Sequence, residues 1–195
     1  MNIGIYIYDH AEVLDFSGPF EVFTTASRVC NEVDLFNVFL IGESGDPISA
    51  RAGYRVIPNY GFHNHPKIDV LLIAGGVHTE EMKKAHVIHW ISSQAKNATL
   101  VSSVCTGAFL LAKANLLQGR NVTTHWEDMI DLSNMFPELT VIKNTRWIED
   151  ENVITSGGIS AGIDMSLYMV SKLHSLELAN RTAKQMEYAW AKNSK

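Results

Sequence analysis

The residues best suited to chemistry surround a cysteine in the middle of the chain. Cys105 stands between an apolar run that begins at Thr99 and another that ends near Gln118, a pattern that predicts a strand, a tight turn and a helix. The N-terminus of a helix carries partial positive charge, which favours a thiolate. Small residues flank the turn, Ser103 before it and Gly107 after it, as in a nucleophile elbow. We therefore predict that Cys105 is a nucleophile with a pKa below the free value of about 8.5.

Three other features follow predicted strands and could meet this cysteine. Asp15 precedes a helix, and a carboxyl group whose pKa is raised by burial could exchange protons with Cys105. Gly75–Gly76 could direct a backbone N–H into the site and, with the N–H of Thr106, form an oxyanion hole. The glycine-rich turn Ser156–Gly162 could wall the pocket. Ligands bind at the carboxyl ends of strands in parallel sheets, so we expect these features to converge.

Each of these features also has a purely structural interpretation. A cysteine in an apolar run is often an inert core residue, and Asp15 is equally compatible with a cap or a surface turn. The glycines could serve plain turns between strand and helix. The strand–turn–helix context favours the reactive interpretation for Cys105.

Histidines contribute less to the predicted site. Thr124–Glu127 matches a capping box, which places His125 in the first turn of a helix and favours a supporting role over that of a general base. The other histidines of interest form two pairs that each offer two metal ligands and no third: His63 with His65, and His86 with His89. We expect no metal site.

The elements that position these residues alternate along the chain. Strands are predicted at Asn2–Tyr8, 34–41, 69–74, 99–104, 140–143 and 147–155, with two short strands around Gly53 between positions 47 and 58. Helices are predicted at 17–29 with Ser17 as N-cap, then at 79–95, after Cys105, after Thr124, and at 163–173 and 181–188. This alternation predicts one α/β domain over residues 1–195 with a mainly parallel sheet.

Composition narrows the classes of function. The 195 residues carry a formal charge of −5 without any cluster of Lys or Arg, so we expect no nucleic-acid binding. Two cysteines, Cys30 and Cys105, are too few for a disulfide framework. The N-terminus lacks the pattern of a secretion signal, and no apolar run approaches the roughly eighteen residues that cross a bilayer. We expect a cytoplasmic protein without membrane contact.

Five motifs together resemble those of the DJ-1/PfpI superfamily. They are Leu14–Pro19 (LDFSGP), Ala74–Gly76 (AGG), Ser103–Gly107 (SVCTG), Leu116–Trp126 (LLQGRNVTTHW) and Thr155–Asp164 (TSGGISAGID). Within the superfamily they are most similar to the isonitrile (isocyanide) hydratases and to the amidotransferase-like domains of AraC-type regulators. The resemblance implies a flavodoxin-like three-layer sandwich with a cysteine nucleophile elbow, and usually a homodimer.

The resemblance also implies roles for single residues. Cys105 matches the nucleophile, Thr106 the residue that contacts the thiolate, and Asp15 the general acid/base. Gly76 matches the glycine whose N–H faces the nucleophile, and Ile159 a wall of the pocket. Other branches carry Glu in place of Asp15, and protease-like branches place His where this chain has Thr106, so peptidase activity is not expected.

Two classes of function follow from this resemblance. The first is hydration of an isocyanide, a small-molecule substrate, to an N-substituted formamide without metal or organic cofactor, because a thiolate is itself a strong nucleophile. The second is a ligand or redox sensor related to the regulators, and we expect no DNA-reading region within this sequence. A stress-type thiol protein that is oxidised at Cys105 is a third possibility.

Overall fold

A computed structural model describes residues 1–30 and 35–193 of the protein. The ten strands within these residues are β1 (Asn2–Tyr6), β2 (Asn37–Ile41), β3 (Ile48–Ser49), β4 (Arg55–Val56), β5 (Val70–Ile73), β6 (Leu100–Val104), β7 (Asn121–Val122), β8 (Thr140–Val141), β9 (Trp147–Asp150) and β10 (Val153–Ser156). The six α-helices there are α1 (Val13–Val29), α2 (Ala85–Ala95), α3 (Gly107–Lys113), α4 (Met129–Met135), α5 (Ala161–Leu173) and α6 (Leu176–Gln185).

Six strands form the central sheet in the order β2-β1-β5-β6-β10-β9. Neighbouring strands are parallel except β9, which pairs antiparallel with β10 at one edge. All residues of β5 and β6 are buried, as their apolar sequences predict for strands covered on both faces. The predicted α/β fold with a mainly parallel sheet is confirmed. The two short strands around Gly53 are also present, as the hairpin β3–β4.

Helices flank this sheet in two groups. Helices α1, α5 and α6 pack against one another, whereas α2 packs against α3. Helix α5 approaches β6 closely through Gly162, where a Cβ atom would lie 2.8 Å from the side chain of Val104. Within the described residues, none of the helices combines the length and hydrophobicity that crossing a lipid bilayer requires.

Helix α1 begins at Val13 rather than at the predicted N-cap Ser17. The Ser17 hydroxyl instead donates to the carbonyl of Val13 at 2.8 Å, inside the helix. Pro19 lies within the helix and has no N–H to donate to the carbonyl four residues earlier, that of Asp15. Asp15 therefore lies in the first helical turn and not in the preceding loop.

Two predicted elements are each divided in two. The predicted helix at 79–95 is a 3₁₀ turn at Glu81–Lys83 followed by α2. The predicted strand at 147–155 is the hairpin β9–β10, which turns at Glu151 with a φ of 55°. The polar run Glu149–Asn152 marks this turn, because acidic and amide side chains separate the apolar residues of the two strands.

Other element ends also differ from the predictions. Helix α3 ends at Lys113 rather than near Gln118, since Asn115 adopts a φ of 58°. Helix α6 is displaced towards the N-terminus because the Ser175 hydroxyl accepts a bond from the Leu178 N–H and caps it. Strand β2 begins at Asn37; position 34, where its start was predicted, lies outside the described residues.

An ion pair between a buried aspartate and a partly exposed arginine links the C-terminal segment to the sheet. Asp164 in α5 is fully buried and accepts a hydrogen bond from Nε of Arg146 at 2.5 Å. Its second oxygen accepts a bond from the backbone N–H of Ala191 at 2.9 Å, and its carbonyl accepts one from the Trp190 indole at 3.1 Å. One carboxylate therefore joins α5, the strand β9 region and the end of the chain.

We expect Asp164→Asn to lower the free energy of unfolding by about 2 kcal/mol, since the buried Asp164 carboxylate loses its charge-assisted hydrogen bond with Arg146, whose side chain is 38% exposed. Urea denaturation measures this loss. The matched control is Glu151→Gln, which removes an exposed contact with Arg120 at 2.9 Å and should cost under about 1 kcal/mol. Equal losses in the two variants would contradict a special role for the buried pair.

Candidate active site

The predicted site residues converge at the carboxyl ends of four strands. Cys105 directly follows β6, Gly75 follows β5, and Gly158 follows β10. Asp15 reaches the same place from the first turn of α1, which follows β1. Strands β1, β5, β6 and β10 are neighbours in the sheet, so their ends bring together residues that are distant in sequence.

The turn at Cys105 is as tight as the nucleophile-elbow pattern predicts. Cys105 adopts a φ of 55°, and its N–H donates to the Ser156 carbonyl at 3.1 Å. The Thr124 hydroxyl donates to the Cys105 carbonyl at 2.8 Å. Gly107 is required because a Cβ atom there would lie 2.3 Å from the carbonyl oxygen of Ile73. The strained backbone is therefore held on both sides by hydrogen bonds and by close packing.

Asp15 lies beneath the cysteine, fully buried. The Gly75 N–H donates to its Oδ2 at 3.1 Å, whereas Oδ1 has no hydrogen-bond partner among the described residues. A Cβ atom at Gly75 would lie 2.7 Å from Asp15 Oδ2, 2.6 Å from the Thr106 nitrogen and 2.8 Å from Cys105 Cβ. The missing side chain at Gly75 is what allows the carboxyl group and the thiol to share this space.

The protonation of this pair differs from the prediction. Burial raises the pKa of the Cys105 thiol well above its ordinary value, and the charge of Asp15 acts in the same direction. Burial also raises the pKa of Asp15 from 3.8 to about 8, against the opposing hydrogen bond from Gly75. Helix α3 has only seven residues, and its N-terminus does not offset the loss of solvation. The pKa of Cys105 is therefore shifted in the direction opposite to the one predicted, because burial disfavours the thiolate.

The glycine N–H groups have different partners from those predicted. The Gly75 N–H donates to Asp15, and the Gly76 N–H donates to the Thr106 hydroxyl at 2.8 Å. That hydroxyl in turn donates to the Gly76 carbonyl at 2.8 Å. The predicted oxyanion hole, in which an N–H from Gly75–Gly76 joins the Thr106 N–H, is therefore not formed, because both glycine N–H groups have other acceptors. The Thr106 N–H does face the sulfur, where it lowers the pKa of Cys105 against the stronger effect of burial.

A cavity of about 400 Å³ leads to the sulfur. The Cys105 side chain is otherwise enclosed, because the residue is only 7% exposed. The predicted residues Gly76, Cys105, Thr106, His125 and Ile159 all line the cavity. It is also lined by residues that the sequence did not single out: Glu12, Arg51, Val77, His78, Thr79, Glu127 and Asp128.

Two of these additional residues, Arg51 and His78, contribute charged or titratable side chains to the cavity wall. Arg51, from the turn between β3 and β4, pairs with Glu12 at 3.3 Å. The His78 ring lies 4.2 Å from the ring of Phe109, and burial lowers the pKa of His78. Arg51 lies in a segment without any local pattern, so nothing in the sequence points to it. The one signal for His78 is its position two residues after Gly76.

His125 contacts the cysteine from the side of the glycine-rich turn. The predicted capping box is absent, because His125 instead precedes a 3₁₀ turn at Trp126–Asp128. Its Nδ1 lies 3.4 Å from a carboxylate oxygen of Asp128. A Cβ atom at Gly158 would lie 2.6 Å from the His125 ring and 2.8 Å from the Cys105 sulfur. Gly158 is therefore the spacer that lets the ring and the sulfur lie side by side.

No cluster of three or more His, Cys, Asp or Glu side chains that could hold a metal ion occurs in the part of the chain that the structure describes. The two histidine pairs have other contacts. His65 accepts a bond from the Trp90 indole at 3.2 Å, and His86 lies 2.7 Å from a carboxylate oxygen of Glu43.

Comparisons with known proteins give a consistent result. Residues 1–172 match the model of the DJ-1/PfpI family. An isonitrile hydratase of Pseudomonas putida is 32% identical over 191 residues, which are 97% of this chain and 79% of the relative. The HTH-type transcriptional regulator GbdR of Pseudomonas aeruginosa is 26% identical over 193 residues, and the chain spans only 52% of its length.

Solved structures show the same fold. A ThiJ/PfpI family protein from Pseudomonas syringae superposes with a TM-score of 0.85 at 26% identity, over 99% of this chain and 77% of that one. Drosophila melanogaster DJ-1beta superposes with a TM-score of 0.84 at 20% identity, over 97% of this chain and 98% of that one.

The raised pKa of Asp15 predicts a pH-dependent stability. The folded protein binds this proton more tightly than the unfolded chain, so this stabilisation is complete below pH 3.8 and is lost as the pH rises to about 8. Asp15→Asn lacks the titrating group. We expect the free energy of unfolding of Asp15→Asn, minus that of the wild type, to increase between these pH values by up to about 1.4 kcal/mol per pH unit. Above them this difference should stay constant. Urea denaturation at a series of pH values measures the difference, and a difference that stays constant over the whole series would refute it.

The ionisation of Asp15 also affects the reactivity of the Cys105 thiol. We expect alkylation of Cys105 by iodoacetamide to be slow at pH 6 and to accelerate only at alkaline pH, because burial and the charge of Asp15 raise the pKa of the thiol. In Asp15→Asn the acceleration should move to lower pH, because that charge is absent. Mass spectrometry of the Cys105 peptide follows the reaction separately from Cys30. A rapid reaction at pH 6 in the wild type would instead show a resting thiolate.

Proposed function

The chain belongs to the DJ-1/PfpI family, and on that premise we propose that it is a cysteine-dependent hydratase that converts isocyanides into N-substituted formamides. The observation that carries the proposal is the juxtaposition of the Cys105 thiol with the buried carboxyl group of Asp15 across Gly75. The relative named isonitrile hydratase supports the choice of reaction, since 97% of this chain matches it.

In the first step, the Cys105 sulfur attacks the terminal carbon of R–N≡C. The new S–C bond forms while the protonated carboxyl group of Asp15 gives its proton to the same carbon, and the thiol proton replaces it on Asp15. The product is a thioimidate, R–N=CH–S–Cys105, and no atom changes its net oxidation state across the reaction. Exclusion of water by the narrow site protects the proton transfer from competition.

In the second step, a water molecule attacks the thioimidate carbon. Asp15 gives its proton to the imine nitrogen and accepts one from the water as the C–O bond forms. The C–S bond then breaks, and the new hydroxyl group becomes the carbonyl of the formamide. The sulfur recovers its proton, and R–NH–CHO leaves the site. One water molecule is consumed, and the enzyme returns to its starting state.

The environment of Asp15 suits both steps. A general acid/base is most effective when its pKa lies near the working pH, and burial places the pKa of Asp15 at about 8. The hydrogen bond from Gly75 keeps one carboxyl oxygen in place, which leaves Oδ1 as the oxygen that can exchange the proton. Thr106 supports the nucleophile through its N–H and ties Gly76 to the turn through its hydroxyl.

A second candidate is a sensor that binds a small molecule at this site without turning it over. The observation that favours it is the match of the regulator GbdR to 98% of this chain. The same cavity and cysteine would then recognise a ligand, and the signal would pass to another protein or domain.

Incubation with cyclohexyl isocyanide distinguishes the two candidates. We expect N-cyclohexylformamide to appear in the NMR spectrum, with no product from Cys105→Ala. Asp15→Asn should slow turnover by at least about a hundredfold, since general acid/base catalysis contributes that much. Cys30→Ser is the matched control and should retain full activity. Binding of isocyanides without product in the wild type would reject the hydratase and support the sensor.

A further inference from the structure

A groove continues from the cysteine cavity along the surface of α3. A second hollow of about 490 Å³ adjoins the cavity and shares His78, Thr79 and Asp128 with it. A third hollow of about 930 Å³ lies beyond, between the ends of α2, α3 and α4, and shares Thr79 and Met135 with the second. Thr79 lines all three hollows, so they lie next to one another along this surface.

The length of this groove follows from the helix beside it. Cys105 lies two residues before the start of α3, and Lys113, which lines the third hollow, is the last residue of that helix. Eight residues at 1.5 Å per residue correspond to about 12 Å along the helix axis. An extended hydrocarbon chain of about ten carbons therefore spans the distance from the sulfur to the third hollow.

The walls of the groove change in character along its length. The second hollow carries two acidic side chains, Asp128 and Asp131, beside the rings of His78 and Phe109. The third hollow has an apolar surface made by Met82, Ile88, Ala114, Met135 and Phe136. Its basic residues are Lys83, His89 and Lys113, and no acidic side chain is among the described residues that line it.

Charge complementarity therefore favours one orientation of an occupant. A negative group is repelled near Asp128 and attracted at the far end by Lys113 and Lys83. Lys83 also pairs with Glu80 at 2.6 Å outside the hollow, so Lys113 is the principal cation. The apolar surface of the third hollow is stabilised when a hydrocarbon chain covers it, since Met135 is 51% exposed and methionine adapts readily to a ligand.

We propose that the substrate of this site is an isocyanide on an extended hydrocarbon chain of about ten carbons that ends in a carboxylate, with the chain in the groove and the carboxylate beside Lys113. This proposal rests on the hydratase function and adds the class of substrate. The isocyanide carbon lies at Cys105, and the far hollow selects for the length and the charge of the tail.

A substrate series with groove variants tests the tail. We expect 10-isocyanodecanoate to have a kcat/KM at least about tenfold above that of ethyl isocyanide. Met135→Trp closes the passage between the second and third hollows and should remove this advantage while leaving ethyl isocyanide unaffected. Ile130→Trp is the matched control, because Ile130 is an exposed residue of the same helix that lines a different cavity.

The carboxylate is tested separately. Lys113→Gln should lower kcat/KM for 10-isocyanodecanoate towards that for decyl isocyanide and leave the value for decyl isocyanide unchanged. Lys143→Gln, a lysine of the other cavity, should change neither value. Equal kcat/KM values for ethyl isocyanide and 10-isocyanodecanoate in the wild type would overturn the proposal while the hydratase function stands.

A readout that does not need turnover separates the two proposals. Sodium decanoate should slow the alkylation of Cys105 by iodoacetamide in the wild type and in Ile130→Trp, and have no effect in Met135→Trp. If no isocyanide is hydrated but decanoate protects Cys105 in this pattern, the hydratase fails while the groove remains the binding site for the tail. Absence of protection in the wild type would count against the groove.

Discussion

The site depends on one close approach, that of a buried carboxyl group to a buried thiol across a residue without a side chain. Any Cβ atom at Gly75 would lie within 2.8 Å of Asp15, Thr106 and Cys105 at once. The same glycine donates its N–H to Asp15 at 3.1 Å. Gly75 therefore both makes room for the pair and orients the acid, so the chemistry of the site follows from a backbone position rather than from a reactive side chain alone.

Because the two groups are buried together, the Asp15 carboxyl group and the Cys105 thiol each hold a proton more strongly than they would in water. Two groups that become anionic when they ionise lie together with little access to water, and burial raises the pKa of both. A thiolate at Cys105 therefore requires a proton to leave the pair, since burial opposes a permanent charge on the sulfur. This arrangement suits a reaction that must deliver a proton to the same carbon that the sulfur attacks.

The remaining fold maintains this geometry. The parallel strands β1, β5, β6 and β10 deliver their carboxyl ends to a common edge, and Gly162 lets α5 lie directly against β6 below the cysteine. The Arg146–Asp164 pair holds the C-terminal segment against the start of α5, next to the turn that carries Gly158 and Ile159. The connection from β5 to α2, which lies beside the groove along α3, contains a 3₁₀ turn at Glu81–Lys83 rather than a full helix.

Local sequence was sufficient for the class of fold and for the strand and tight turn that carry Cys105. The strand, turn and helix around Cys105 depend on residues within a few positions of one another, and alternating apolar segments identified most strands of the parallel sheet. The expectation that Asp15, Gly75 and Gly158 meet the cysteine also followed from sequence, because parallel strands place their ends on one edge.

The tertiary structure alone decided the start of α1, the partners of the glycine N–H groups, the protonation of the pair, and the membership of Arg51 and His78 in the cavity. Each of these depends on atoms that lie far apart in the chain, as Asp15 and Gly75 do. Desolvation in particular arises from every element packed around a group, and no window of sequence contains that information.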